Sequence, residues 1–199
     1  MVPSLRNVRG ILRRDVPGER KTRDIRRRRC QDAHVTTIRR VRADEWQALR
    51  DLRLRALAGA PRAFSTTFAE ASRRDEAQWR ELATRGAAAE RWATFVADDG
   101  DALVGMATGT IEDGTASADL IQMWVDPRAR RHGVGRALVV AVLGWARDRA
   151  DEVRLHVVLG EEPAIALYRS LGFRDTGHRE RVREDRDDTE MEMALRVRE

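Results

Sequence analysis

The chain has 199 residues, enough for one domain with a proper core, and 42% of them are hydrophobic, which argues against a disordered chain. No apolar run comes near the roughly 18 residues of a membrane span, and the single cysteine, Cys30, excludes an intrachain disulfide. The net charge of +5 is held unevenly: residues 1–34 carry 11 Lys+Arg against 4 Asp+Glu, and residues 35–199 carry 27 against 29. The basic excess therefore belongs to the N-terminal arm, and charge gives no reason to read the folded part as a nucleic-acid binder. The N-terminus is too charged for a secretory apolar region, so a cytoplasmic protein is expected. The four histidines (His34, His132, His156, His178) show neither an i, i+4 pair nor a cysteine partner, so no metal is expected.

In chain order, residues 1–33 come first. They are poor in apolar residues, broken by two prolines and end near the block Arg26–Arg29, which reads as a disordered extension. It is either a loose tail, or a misassigned start, or an arm for nucleic acid, anionic surfaces or a partner. A folded domain is expected over 34–199. "VTTIRRV" alternates as a short strand. A helix opens at Ala43 or Asp44 and runs to about Ala58, with Trp46, Leu49, Leu52, Leu54 and Leu57 as its apolar stripe. "GAPRAFSTTF" reads as a turn-rich connection, and a second helix follows at about 73–85. Two strands joined by Asp98-Asp99-Gly100 make a hairpin, and "ADLIQMWV" is a third. Then come a helix over 133–149, the strand "EVRLHVVL", a short helix with Pro163 at its start and Gly172 at its end, and strands at about 173–182 and 189–197. The order β-α-α-β-β-β-α-β-α-β-β predicts an α/β fold with a mixed, mostly antiparallel central sheet flanked by helices.

The stretch "DPRARRHGVGRALV" carries the chemistry. A strand-to-helix turn leaves the first N–H groups of the helix unpaired, and the helix dipole adds partial positive charge there. Gly133 and Gly135 would let a ligand approach the backbone, and Arg130, Arg131 and Arg136 add charge, which together suits a phosphate or pyrophosphate. A tight corner ringed by solvated arginines is the alternative. A P-loop is excluded because Gly135 is followed by Arg136-Ala137. A dinucleotide fingerprint would need a glycine where Leu138 stands.

Arg130-Arg131-His132-Gly133-Val134-Gly135 resembles the Arg/Gln-x-x-Gly-x-Gly/Ala motif of the GCN5-related N-acetyltransferase (GNAT) superfamily. "MWVDP" before it is similar to that family's fourth strand, and "EEPAIALYRSLGF" after it to the family's Asn-x-x-Ala-x-x-Leu-Tyr-x-x-x-Gly-Phe segment. "TEMEMAL" is similar to the last strand, and the resemblance spans about residues 35–197. One position departs: Glu161 stands three residues before Ala164 where the family has asparagine, and a carboxylate cannot donate the hydrogen bonds that an amide can.

The resemblance implies the GNAT fold with strands 4 and 5 splayed, acetyl-CoA as cosubstrate, and direct attack by a primary amine of a small molecule or peptide. It implies a pyrophosphate on the N–H groups of Arg131 to Arg136, and a pantetheine arm laid like an extra strand beside Met123, Trp124 and Val125, with Glu161 and Ala164 flanking it. The Val125 N–H would stabilise the developing oxyanion. Tyr168 would protonate the leaving thiolate, the alternative being a core tyrosine with a satisfied hydroxyl. Asp119 is the candidate base, with Glu112, Glu161 and Glu70 as rivals and a carboxylate without catalytic role as the alternative. The acceptor is expected between residues 59–68 and the loop 180–188. A catalytically silent acyl-CoA-binding sensor is the other functional reading. Relatives often dimerise, so the resemblance implies a homodimer as the assembly to test; a membrane partner is not expected, and nucleic acid only through the arm.

Overall fold

The computed structural model describes residues 36–185 and 187–198. The expected extension at residues 1–33 therefore lies outside the described residues. One seven-stranded sheet runs through the domain in the order β1-β2-β3-β4-β5-β7-β6. Its strands are β1 (Thr37–Arg40), β2 (Trp92–Asp98), β3 (Leu103–Ile111), β4 (Ser117–Val125), β5 (Glu152–Val158), β6 (Arg174–Arg181) and β7 (Thr189–Arg196). All neighbours pair antiparallel except β4 and β5, which are parallel. That exception follows from the crossover helix α4 (Val134–Ala146) between them. The mixed α/β architecture is as the sequence predicts.

The helices sort onto two faces because each carries one buried stripe. Helix α4 buries Val134, Leu138, Val139, Val142 and Trp145, which pack with Ile165 and Tyr168 of α5 (Glu162–Ser170) against Ala97, Ala107, Leu120 and Val153. On the other face, α1 (Trp46–Gly59) and α3 (Glu76–Ala88) pack Leu49, Leu52, Leu57 and Trp79 against Val96, Met106 and Trp124. Each such buried aliphatic or aromatic side chain contributes roughly 1.5–3 kcal/mol.

Three boundaries differ from the sequence reading. Helix α1 begins at Trp46, not at Asp44, and its buried stripe includes Arg53, while Leu54 is only half-buried. The "GAPRAFSTTF" connection is not wholly irregular: it holds a 3-10 turn at Pro61–Ala63 and leads into a short helix, α2 (Phe68–Ser72). Thr67 accepts from the Glu70 N–H while the Glu70 carboxylate accepts from Thr67, a capping box written in the sequence as Thr-x-x-Glu. Helix α3 starts later than residue 73 for the same kind of reason, since Asp75 and Gln78 form a second capping box.

Candidate active site

Strands β4 and β5 pair only at their beginnings: Ser117 with Glu152, Ala118 with Val153 and Asp119 with Arg154. Beyond those pairs β5 stays with β7 through Val158, and β4 stays with β3 through Val125. A gap therefore opens between Leu120–Val125 and Leu155–Val158. The bend has a local cause. Gln122 has φ +56° within a strand, and the β3–β4 register shifts there, which marks a bulge. Beyond the bulge the ladder fixes which groups face the gap. The Asp126 N–H donates to the Val104 carbonyl at 2.8 Å, and Trp124 pairs with Met106. By alternation, the Val125 backbone between them points away from β3, toward the gap. The Val125 carbonyl on that side accepts from Arg130 Nε at 2.9 Å.

The turn after β4 delivers the chain to α4 at the mouth of this gap. Gly133 caps α4 with φ +80°, a conformation that favours glycine, and a Cβ there would meet nothing within 4 Å. The first helical hydrogen bond runs from the Ala137 N–H to the Gly133 carbonyl, so the Val134, Gly135 and Arg136 N–H groups precede the ladder, and no side chain caps them. Gly135 is small for another reason. A Cβ on it would lie 3.3 Å from Leu167 Cδ2 and 3.3 Å from Met123 Cε, so its lack of a side chain serves the packing of α4 against α5 and β4. Most of the arginines are committed. Arg128 pairs with the buried Asp126 at 3.1 Å, Arg130 with the Val125 carbonyl, and Arg136 reaches the Ser170 carbonyl at 3.3 Å. His132 Nδ1 lies 2.8 Å from the Arg130 carbonyl, which makes it the donor.

Tyr168, on α5, is buried in the same cluster as Val125, Val134 and Leu138, with its ring edge-on to Phe173 at 5.9 Å. Its hydroxyl makes no hydrogen bond to a described residue, and burial pushes the phenol well above its ordinary pKa, so it is protonated at neutral pH. Asp119 stands on the opposite face of the sheet from its buried neighbours Ala118 and Leu120. Burial raises its carboxyl above the ordinary aspartate range, against the opposing charge of His156. Of its rivals, Glu70 is engaged in the α2 capping box and held below the ordinary range by the Thr67 N–H and hydroxyl. Glu112 is exposed, and Glu161 is the exposed residue just before α5, its carbonyl accepting from the Ala164 N–H at 3.0 Å. The two segments expected to flank an acceptor do meet: Arg62 pairs with Asp188 at 2.7 Å, and Arg183 donates to the Ser65 carbonyl at 2.8 Å.

Three features escape sequence reasoning. The bulge at Gln122 is one, because nothing in "DLIQMWV" marks a left-handed residue. The buried guanidinium of Arg53 is another, because an arginine inside a helix reads as solvated. The third is a grouping of His156, Glu180 and Glu190, whose ligand atoms lie within 4.8 Å of one another. Strand pairing assembles it from residues far apart in sequence, and His156 Nε2 lies 3.2 Å from a Glu180 carboxylate oxygen and 3.8 Å from one of Glu192.

Comparison with known proteins agrees with this geometry. A family model for the acetyltransferase (GNAT) family matches residues 46–173. The chain is 37% identical over 100 residues to human N-acetyltransferase 8, covering 47% of this chain and 44% of that protein. It is 32% identical over 154 residues to a mycothiol acetyltransferase of Acidothermus cellulolyticus, covering 73% and 46%. The chain thus spans about half the length of the curated relatives it matches. A Salmonella typhimurium protein solved with its cofactor acetyl-CoA shares the fold, with a TM-score of 0.67 at 18% identity over 83% of this chain and 95% of that one. The chain belongs to the acetyltransferase (GNAT) family.

Proposed function

We propose that the domain at 34–199 is an N-acetyltransferase that moves the acetyl group of acetyl-CoA to a primary amine by direct attack. The observation that carries this reading is the gap between β4 and β5, with the Val125 backbone turned into it and the uncapped N-terminus of α4 at its mouth. Acetyl-CoA fits both parts. Its pyrophosphate suits the N–H groups of Gly133 to Arg136, beside an open space at Gly133. Its amide-bearing arm suits a strand edge at Met123 to Val125, since an extended ligand can add to unpaired backbone. The Val125 N–H is then the donor for the thioester oxygen, which becomes negative as the amine attacks.

Two side chains complete the chemistry. The buried Tyr168, protonated at neutral pH, is the group that hands a proton to the departing thiolate. An alkylammonium must first lose a proton, and Asp119 is the base with the raised carboxyl. It works from the face carrying α1 and α3, where the acceptor enters between the Arg62 and Arg183 segments. Cys30 has no part, because attack is direct.

Thiol release from acetyl-CoA, followed against a panel of amines, tests this reading. Amine-dependent release that is saturable in both substrates supports it. Saturable acetyl-CoA binding with no turnover on any amine refutes it in favour of an acyl-CoA sensor.

A further inference from the structure

Arg53 is a charged residue on the buried stripe of α1, only 6% exposed. Its guanidinium lies over the Phe64 ring at 4.4 Å, and that contact satisfies no N–H. Arg53 Nε and Nη1 are fully enclosed and have no hydrogen-bond acceptor among the described residues. A buried cation in this state is costly, because its hydration is lost and no anion replaces it. Burial, with the nearby charge of Arg74, pushes the Arg53 pKa down to about 10, so the group still carries its charge at neutral pH.

The surroundings show what is missing. Arg53 lines a cavity of about 20 Å³ together with Arg74, Trp79, Trp92, Thr94 and Gln122, and no carboxylate lines it. The Thr94 hydroxyl is engaged with Thr108 at 3.1 Å. Arg74 faces the Trp79 ring at 5.4 Å and is half-buried. The site is thus two arginines, an amide and aromatic walls, with space for one small polar group. A guanidinium offers its donors as a planar fork that matches a carboxylate. Position adds the last argument. Gln122 is the left-handed residue of the β4 bulge, and the next residue is Met123, where the strand edge facing the gap begins.

We propose that the acceptor amine also bears a carboxylate, as an amino acid or a peptide end does, and that Arg53 with Arg74 forms the subsite that holds it. This rests on the acetyltransferase reading above. The carboxylate replaces the missing acceptors of Arg53 and anchors the acceptor beside the bulge, on the sheet face that also carries Asp119. Arg53 is here a specificity-determining residue and takes no part in proton transfer.

The test uses the full chain and matched acceptors: free amino acids and the corresponding amino-acid amides, with thiol release as readout. The wild type is expected to favour the free acids about 10- to 100-fold in kcat/KM, the range of one or two charge-assisted hydrogen bonds. In Arg53→Met that ratio falls toward one, through KM for the free acid, while KM for acetyl-CoA does not move. Arg53→Lys, which keeps charge but not the fork, gives an intermediate ratio. Equal use of acids and amides by the wild type, or an unchanged ratio in both variants, overturns the proposal and leaves acetyl transfer standing. A second readout does not need turnover. Trp79 and Trp92 line the cavity, so their fluorescence reports occupancy, titrated with N-acetylglycine, its amide and inorganic phosphate. Saturable quenching by N-acetylglycine alone, lost in Arg53→Met, supports the subsite even if no amine is acetylated. Quenching by phosphate to the same degree, or by none of the three, overturns it. The melting temperature separates a structural role: an arginine that only braces α1 leaves Arg53→Met less stable, whereas an unpaired buried charge replaced by a matched apolar chain leaves stability equal or higher.

Discussion

Replacing Gly133 by alanine separates the backbone of the turn from its arginines. With φ at +80°, alanine is strained by about 1–2 kcal/mol whatever the space around it. For a domain of this size each kcal/mol shifts the melting temperature by roughly 2–4 °C, so a fall of about 2–8 °C is expected. The Cβ itself meets no protein atom within 4 Å, and it projects into the space beside the uncapped end of α4. A pyrophosphate seated there would be pushed off at least one N–H. Since a hydrogen bond to a charged group is worth about 1.5–3 kcal/mol, acetyl-CoA affinity should drop by at least about tenfold. Gly135→Ala is the control. Its Cβ comes tight only against the terminal methyl groups of Leu167 and Met123 at 3.3 Å, with Val125 Cγ2 at 3.8 Å, and alanine gains up to about 1 kcal/mol over glycine in a helix. Affinity and melting temperature should both stay near the wild type. Arg128→Ala should spare affinity too, because Arg128 is tied to Asp126. Calorimetric titration with acetyl-CoA and a thermal melt on all three variants measure this. If Arg128→Ala weakens binding most, or Gly135→Ala as much as Gly133→Ala, the argument that the α4 backbone holds the phosphates fails.

Tyr168→Phe removes a hydroxyl that has no hydrogen bond to a described residue, so stability should hold while kcat drops by about 10² or more; a wild-type kcat would dismiss Tyr168 as the acid. Asp119→Asn should abolish the acidic limb of the kcat/KM profile. Burial raises the Asp119 carboxyl in the folded state, so its ionisation opposes folding above that raised value and ceases to as pH falls through it. The asparagine variant should therefore melt no lower than wild type at pH 7, with any gain vanishing in acid; a lower melt at neutral pH contradicts the assigned cause. Gly109→Ala would place a Cβ 2.6 Å from Cζ3 of Trp145, whose Nε1 is anchored to the Ala89 carbonyl at 2.8 Å. Overpacking there should cost about 1–3 kcal/mol in urea unfolding, and an unchanged midpoint would mean that α4 moves freely.

The fold was legible wherever one local rule decided the structure. Alternation marked β1, the Asp98-Asp99-Gly100 turn marked the β2–β3 hairpin, and Pro163 with Gly172 bracketed α5. The strand-to-helix turn and the helix that carries Tyr168 were legible for the same reason, since each is a contiguous stretch. What failed was long-range. The short helix α2 was the local exception: Thr67 and Glu70 spell its capping box but five residues carry no apolar stripe, while Ser65 to Thr67 are irregular as read. The packing role of Gly135 depends on Leu167, which lies 32 residues away. The Arg53 stripe position violates the usual pattern of charged residues outside, and patterns alone cannot locate a violation.

The gap itself is the clearest case of structure working against local stability. A strand of nine residues that pairs with β5 at only three positions leaves inner-edge backbone groups without a strand partner, the Val125 carbonyl being met instead by Arg130 Nε. Val125 is 8% exposed, so water serves its edge poorly, and each unmet buried backbone group costs about 1–3 kcal/mol. Gln122 adds the strain of a left-handed conformation without glycine's freedom, about 1–2 kcal/mol. Such a defect persists only because β3 on one side and β7 on the other hold β4 and β5 rigidly apart. The same defect is what a ligand arm can satisfy. A sequence that straightened β4, for instance by deleting Gln122, would let the two strands zip together. It would be a more regular sheet and, on the proposed function, a worse acetyl-CoA site.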